Sequence, residues 1–412
     1  MSVTILRNAT LLDATSRDLR PGCDVAVEGE LIREVSDRPI KLKGRTIIDL
    51  KGKTLMPGLI DAHVHAIAVT VRLADLARMP PSLLAAGAGA ILEGMLDRGF
   101  TTVRDAGGAE WGLAEAVRRG LFKGPRMFVS GLGLAQTGGQ GDFRAREEAV
   151  LGCPCCHSLR TISRVVDGSS EVRKAVREEL RKGANQIKIF AAGGIAGGVP
   201  VNNVHFAPEE LRAAVEEAEA ARTYVMAHVY SGESIRRVVE AGVRTIEHGN
   251  LCDADTARLM KEKGAYVVPT LTVYKGYHKH GKEFGLPSHV ITGCQELLEA
   301  ARTSLEVYKA AGVKMGHGSD LEGELHPYQS EEFRLKAEVL SPHEVIACAT
   351  ETNAEILGMA GKLGVIAAGA LADLLVVDGN PLKNLRLLEG QGRHLLAIMK
   401  DGLFHKNQLA AR

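Results

Sequence analysis

Short apolar segments alternating with helical stretches constrain this chain more than any other feature. Eight of them read as strands: "LIDAHVH", "TTVRDAGG", "RMFVSGLGL", "NQIKIFAAGG", "TYVMAHVY", "RTIEHGN", "AYVVPTLTV" and "KMGHGSD". Between them lie helices such as "PEELRAAVEEAEAART", "GESIRRVVEAG" and "DADTARLMKEKG". Strand and helix in alternation signal βα units and a parallel sheet. Eight strands in about 260 residues match the count and size of a (β/α)8 barrel. A doubly wound open sheet is the alternative, but no G-x-G-x-x-G follows the first strand to support it.

Both ends of the chain have a different texture. Residues 1–57 are short β-branched runs broken by Gly, Asp and Pro, which predict a small antiparallel sheet, and residues 358–412 repeat the pattern in "LGVIAAGALADLLVVDGNPL" and "LLAIMKDGLFHKN". The expected fold is therefore α/β, a (β/α)8 TIM barrel over residues 58–357, with a small β-sandwich domain built from both termini.

Chemistry concentrates where barrel strands end. His63 and His65 close strand one at i, i+2 spacing, which puts both imidazoles on the same side of a strand and lets them reach one ion. Lys188 ends strand four, His228 strand five, His248 strand six and Asp320 strand eight. Each has an ordinary alternative: a hydrogen-bonded core histidine, an aspartate capping a turn, a lysine whose amine reaches water. Together, six potential ligands meet at the face where barrel enzymes place their chemistry, and that predicts a metal site. Lys188 is the odd member, because an ammonium between two isoleucines costs several kcal/mol unless something neutralises it.

Composition excludes several classes. Net charge is +1 with 45% hydrophobic and 25% charged residues, and basic residues are spread along the chain, so neither nucleic acid nor a membrane surface is an expected partner. No apolar run approaches the roughly 20 residues of a membrane span, and the start lacks a signal-peptide pattern, so a soluble, cytoplasmic protein is expected. Seven cysteines argue against a disulfide framework. Cys153, Cys155, Cys156 and His157 in "CPCCH" lack the spacing and second half-site of structural zinc, and read as a loop with reducible thiols.

The ordered set "PGLIDAHVH", the lysine of "IKI", "AHVY", "IEHGN" and "GSD", bracketed by "GVIAAGALADLLVVDGNP", resembles the amidohydrolase superfamily in its branch related to imidazolonepropionase. The resemblance covers essentially the whole chain. In members with a strand-four lysine, that residue is N-carboxylated and bridges two divalent metals. It implies that His63, His65 and Asp320 hold one metal, that His228 and His248 hold the other, and that a CO2-derived carbamate on Lys188 bridges both. Zinc is the expected ion. A carbamate would turn an expensive buried cation into an anion offset by two dications. The mononuclear deaminases of the branch lack this lysine.

The resemblance implies amide or peptide bond hydrolysis through a hydroxide held between the metals, with Asp320 as general base. The loops look closest to Xaa-Pro dipeptidases, with carboxypeptidase-like and ochratoxinase-type relatives nearby, which release an amino acid with a free carboxylate. The expected substrate is a small molecule or dipeptide bearing that carboxylate. Tyr230, two residues beyond His228 and so on the same side of the strand, is a candidate donor to it. Relatives commonly read Gly-Gly-His where this chain has Gly138, Gly139 and Gln140; Gln140 can hydrogen-bond a carbonyl or carboxylate but carries no charge. His326 is a candidate lid residue at the substrate, whereas His205, His278 and His280 are expected to be solvated and His317 to face away from the metals. N-acyl or aryl-acyl amino acids, and a mononuclear cyclic-amide hydrolase or deaminase, stand as alternatives. A homo-oligomer, up to an octamer, is expected from the family, and Trp111 is either an interface anchor or helix packing.

Overall fold

The computed structural model describes residues 3–13, 18–43, 45–144, 161–195 and 198–409. The Cys153, Cys155, Cys156 and His157 cluster lies outside the described residues. The barrel strands are Leu59–Val64, Phe100–Asp105, a third strand in two pieces (Arg126–Phe128 and Gly133–Ala135), Ile187–Phe190, Val225–Ser231, Thr245–Leu251 and Tyr266–Val268. Each pairs in parallel with the next, the second with the first piece of the third and the fourth with its second piece.

The eighth position departs from the expected strand. Around "KMGHGSD" only Met315 makes a bridge, to Val267. The ring nevertheless continues through backbone hydrogen bonds: Gly316 N donates to Val267 O at 2.7 Å, Ala62 N to His317 O at 2.8 Å, and Asp320 N to His63 O at 2.9 Å. The irregularity has a steric cause. A Cβ at Gly318 would stand 2.7 Å from both His63 Cβ and Val268 Cγ1, so strands one and seven leave room only for backbone there. Asn353 adds a stitch, donating from Nδ2 to Ile60 O at 2.7 Å and His317 O at 2.9 Å.

The helices form where their patterns place them. Gly232–Glu240 buries Ile235, Val238 and Val239 and is capped by Ser231, whose side chain accepts from Ser234 N. Ala254–Lys263 starts at an Asp253 cap and stops at Gly264 in the left-handed conformation, φ 70°. Trp111 is exposed at the start of the helix Trp111–Arg118 and packs beside Gly183. Among the described residues no helix is long and apolar enough to cross a membrane.

Strands from both ends of the chain share one eight-stranded sheet. Val3–Leu11 pairs antiparallel with Arg20–Glu28, and parallel with Arg45–Asp49 through its first half and with Thr54–Pro57 through its second. Thr54–Pro57 then pairs antiparallel with Leu374–Val377. Gly58 N donates to Asp373 O at 2.8 Å immediately before barrel strand one begins, so the strand that carries His63 and His65 is fixed at its base by the terminal sheet.

Candidate metal centre and cavity

His63, His65, Lys188, His228, His248 and Asp320 come together, all but Asp320 at most 6% exposed, and line one cavity at the mouth of the barrel. Alternation along strand one aims both of its histidines inward, and His63 Nε2 and His65 Nε2 lie 3.2 and 3.3 Å from the same oxygen, Asp320 Oδ1. Atoms about 2.0–2.2 Å from one tetrahedral ion stand about 3.3 Å apart, so this triad has the edge lengths of a zinc ligand set. All three ligand atoms fall within 4.8 Å of one another.

Each imidazole is oriented through its other nitrogen. His63 Nδ1 lies 2.6 Å from Glu247 Oε2, His65 Nδ1 3.0 Å from Gly107 O, and His248 Nδ1 2.8 Å from Thr270 Oγ1, which leaves three Nε2 atoms for the cavity. His228 is reversed. Its Nε2 meets Gly193 O at 3.1 Å and its Nδ1 stands 2.8 Å from His248 Nε2. Burial and the nearby Lys188 push His228 down to about 3, and burial together with His228 holds His248 well below the usual range, so both offer lone pairs. His248 and Asp320 sit in the left-handed region at φ 69° and 56°; holding non-glycine residues there costs about 1–3 kcal/mol each, a strain that concentrates at functional sites.

Beneath the histidines runs a buried ion pair. Arg104 Nη2 donates to Glu247 Oε1 at 2.8 Å, and Glu247 reaches His63 with its other oxygen. Burial raises the Glu247 carboxyl, but Arg104 and His63 outweigh it and hold it at about 2. Lys188 has no such support. It is 1% exposed, Nζ has no hydrogen-bond partner among the described residues, and the ring of Phe190 at 5.0 Å is its near compensation. Burial lowers it to about 8 despite Glu247 and Asp320. His63 Nε2 is likewise buried, and beside Asp320 Oδ1 at 3.2 Å it makes no well-aligned hydrogen bond among the described residues. The partnerless lysine nitrogen, the lone pairs of His228 and His248, the Nε2 atoms of His63 and His65 beside Asp320, and that carboxylate form a donor set that fits divalent metal.

The other predicted residues separate. Tyr230 lines the cavity, its ring stacked on His248 at 5.3 Å, and its oxygen accepts from Tyr274 at 3.2 Å. Burial pushes its phenol above the ordinary value, so it stays a donor. Gln140 is buried on the same wall. A Cβ at Gly194 would stand 2.8 Å from Gln140 Cδ and 2.9 Å from His228 Nε2, which is how closely that backbone lets the two approach. His326 is buried with Nε2 3.0 Å from Ala68 O and is not among the cavity-lining residues. His205 is buried rather than solvated, with Nδ1 3.3 Å from Phe190 O. His317 packs between Phe100 and Phe333, at 5.7 and 4.6 Å, away from the ligands.

The cavity also holds residues that the sequence reading passed over. Glu322, 5% exposed, lines it and accepts a hydrogen bond from Tyr277; burial and the neighbouring Asp320 raise its carboxyl to about 8. Tyr274 and Tyr277 come from one helix, Thr272–His280, at i, i+3 spacing. Leu73, Ile162, Phe190, Ile195 and Val273 supply apolar wall.

The pattern of the Amidohydrolase family matches residues 54–402. The chain belongs to that family, whose members generally use divalent metals. A prolidase solved in complex with N-methylphosphonate-L-proline is 50% identical, superposes with a TM-score of 0.96, and is matched over 98% of this chain and 100% of that one. A Xaa-Pro dipeptidase solved with methionine in its active site is 29% identical with a TM-score of 0.87, again over 98% of this chain and 100% of the other. Ochratoxinase from Aspergillus niger is 30% identical over 98% of this chain and 87% of its own length.

Proposed function

We propose that the chain is a binuclear metal-dependent hydrolase that cleaves the amide bond to a C-terminal amino acid, as an Xaa-Pro dipeptidase or carboxypeptidase does. The observation that carries this reading is the partnerless Lys188 amine among four histidines and Asp320. His63, His65 and Asp320 would hold one ion, His228 and His248 the second, and Lys188 both. A neutral lysine amine adds to the carbon of CO2 and releases a proton, which converts Lys188 into an anionic ligand with two oxygens. Bound divalent ions supply an acidified water and a polarised carbonyl.

The chain's own residues do the rest. Asp320 keeps its carboxylate ionised, because His63 and His65 outweigh burial. It accepts the proton of the attacking water and returns it to the leaving nitrogen, which an amide needs because its amine is a poor leaving group. Tyr230, whose oxygen already accepts from Tyr274, has its own O–H left to donate to the substrate carboxylate, with Gln140 beside it. The two prolidase-type structures support the substrate class. A second reading, hydrolysis of aryl-acyl amino acids, is favoured by the apolar wall and the ochratoxinase relationship.

A panel of Xaa-Pro, Xaa-Phe and Xaa-Lys dipeptides and N-acyl amino acids, offered to zinc-loaded enzyme with bicarbonate, tests the proposal. Turnover of at least one carboxylate-bearing amide, with two metals per chain by elemental analysis, is expected. Turnover of cyclic imides alone, or one metal per chain with activity indifferent to CO2, overturns it.

A further inference from the structure

The first seven barrel strands are joined by ladder pairing, whereas the eighth segment leans on a side chain. Asn353 is 0% exposed and its amide imitates a peptide group: Oδ1 accepts from His317 N at 3.1 Å, while Nδ2 donates to His317 O at 2.9 Å and to Ile60 O at 2.7 Å. Ile60 belongs to strand one, so the amide stands where a ladder between that strand and the eighth segment would run, and it satisfies backbone groups of both.

The helix that carries Asn353 is irregular at the residue where this matters. Pro342–Ala347 runs into a π turn, Cys348–Thr352, and resumes as Asn353–Ile356. A π turn adds one residue to the α repeat and so rotates everything after it by about 100° around the axis, an irregularity found frequently at functional sites. Asn353 is the first residue past the turn. Beyond it Ala354 packs with Ile60, and Ile356 with Ala62 and Val268, so the amide makes its bonds inside an apolar layer, where each is stronger than in water. Gly316 leaves the room: a Cβ there would stand 2.6 Å from Asn353 Oδ1.

Gly318 and Ser319 alone separate His317 from Asp320, whose own N donates to His63 O at 2.9 Å. Asp320 sits at φ 56°, a conformation that persists only where its surroundings over-determine it. Its Oδ1 therefore keeps its place, 3.2 and 3.3 Å from His63 Nε2 and His65 Nε2, while both ends of this short span are pinned to strand one. We propose that Asn353 is a positioning residue for Asp320: by fixing His317 against strand one it sets where the Asp320 carboxylate lies relative to the histidines and the attacking water, although it touches neither. This rests on the reading above that Asp320 is both a ligand and the proton carrier.

The test uses the whole chain loaded with zinc and bicarbonate and, in parallel, with cobalt(II), whose visible absorption reports ligand geometry. Asn353→Ala removes no candidate ligand and should keep two metals per chain. Its kcat on the best substrate of the panel is expected to fall by about 100-fold, the scale of a misplacement of about 1 Å, with KM within about threefold of the wild type. Its cobalt spectrum should differ from that of the wild type at equal metal content. Gly316→Ala keeps the amide but presses a methyl group against Oδ1, so it should show the same two changes on a smaller scale, and it carries the test if Asn353→Ala does not fold. A merely structural role would lower the denaturation midpoint and leave both kcat per folded chain and the cobalt spectrum at their wild-type values. That outcome in Asn353→Ala, or in Gly316→Ala where the first does not fold, overturns this inference and leaves the hydrolase reading standing. If the wild type cleaves no amide of the panel, the hydrolase reading falls, and the cobalt spectra still decide between the two roles of Asn353.

Discussion

Lys188 and Lys336 are buried to the same degree, 1% and 0% exposed, yet they are held in opposite ways. Lys336 lies behind the barrel on the helix Glu331–Lys336; its Nζ donates to Gly316 O at 2.7 Å and stands 3.5 Å from Glu332 Oε1, one turn earlier on the same helix. Glu332 in turn accepts from Leu271 N and Thr272 N at 2.9 and 2.7 Å, so this lysine closes a network that joins the eighth barrel segment to the one after strand seven. Lys188 has an aromatic face and, among the described residues, no hydrogen bond. A buried charge supplied with local partners is architecture, whereas one left without them marks a place where something from outside completes the structure.

Changing each lysine should break different properties. Lys188→Ala is expected to lower kcat/KM by more than about 10⁴-fold, because the several kcal/mol that bound metals contribute depend on the ligand that joins them. Its melting curve without metal should stay near that of the wild type, since no hydrogen bond is lost. Elemental analysis should show fewer than two metals per chain. Full metal content with full activity in this variant would remove the distinction between the lysines.

Lys336→Met should do the reverse. Breaking a buried pair by removing one partner costs about 3–5 kcal/mol, which denaturant titration would detect, while metal content per folded chain should hold at the wild-type value. Adding Glu332→Gln should recover part of the loss, because the orphaned charge then goes too. A Lys336→Met protein as stable as the wild type would mean that burial alone, and not pairing, governs these sites.

The same contrast explains what could be read from the sequence. The i, i+2 spacing of His63 and His65 aims both inward in any strand, and the same period places Tyr230 beside His228 on the cavity wall. Applied once more, from Asp320 to Glu322, it would have found the buried acid; the reading stopped at the strand's end, where backbone regularity also stops. Asp320 at φ 56° and the glycines around His317 show why. The eighth segment takes its course from the space between strands one and seven, which no local pattern records. Tyr274 and Tyr277 were hidden differently, since an i, i+3 pair on a helix names a shared face but not what it faces. A loop position suggested solvation for His205, whereas its ring is buried beside the Phe190 carbonyl; His326, expected as a lid residue, instead has Nε2 beside the Ala68 carbonyl, 258 positions away in sequence.

Within the cavity the contrast continues on a smaller scale. Tyr230→Phe removes a donor aimed at a charged group and should reduce kcat/KM by about 1.5–3 kcal/mol equivalent, mostly in KM, on any carboxylate-bearing substrate. An equal loss on an amide lacking the carboxylate would show that the hydroxyl serves packing instead.

Tyr274→Phe should have the smallest effect and is the most exacting control. Tyr274 donates to Tyr230 at 3.2 Å and touches no candidate ligand through a hydrogen bond. Deleting its hydroxyl takes away a neutral bond worth about 0.5–1.5 kcal/mol, a change of about two- to tenfold in KM with kcat unchanged. The backbone and the Tyr230 ring, stacked on His248, stay where they are, so only the direction of the Tyr230 O–H is freed. If that is its role, Tyr274→Phe has no further effect once Tyr230 is already phenylalanine, and the double variant matches Tyr230→Phe alone. Additive losses would mean that Tyr274 meets the substrate directly, and the carboxylate end of the cavity would then have two donors in place of one.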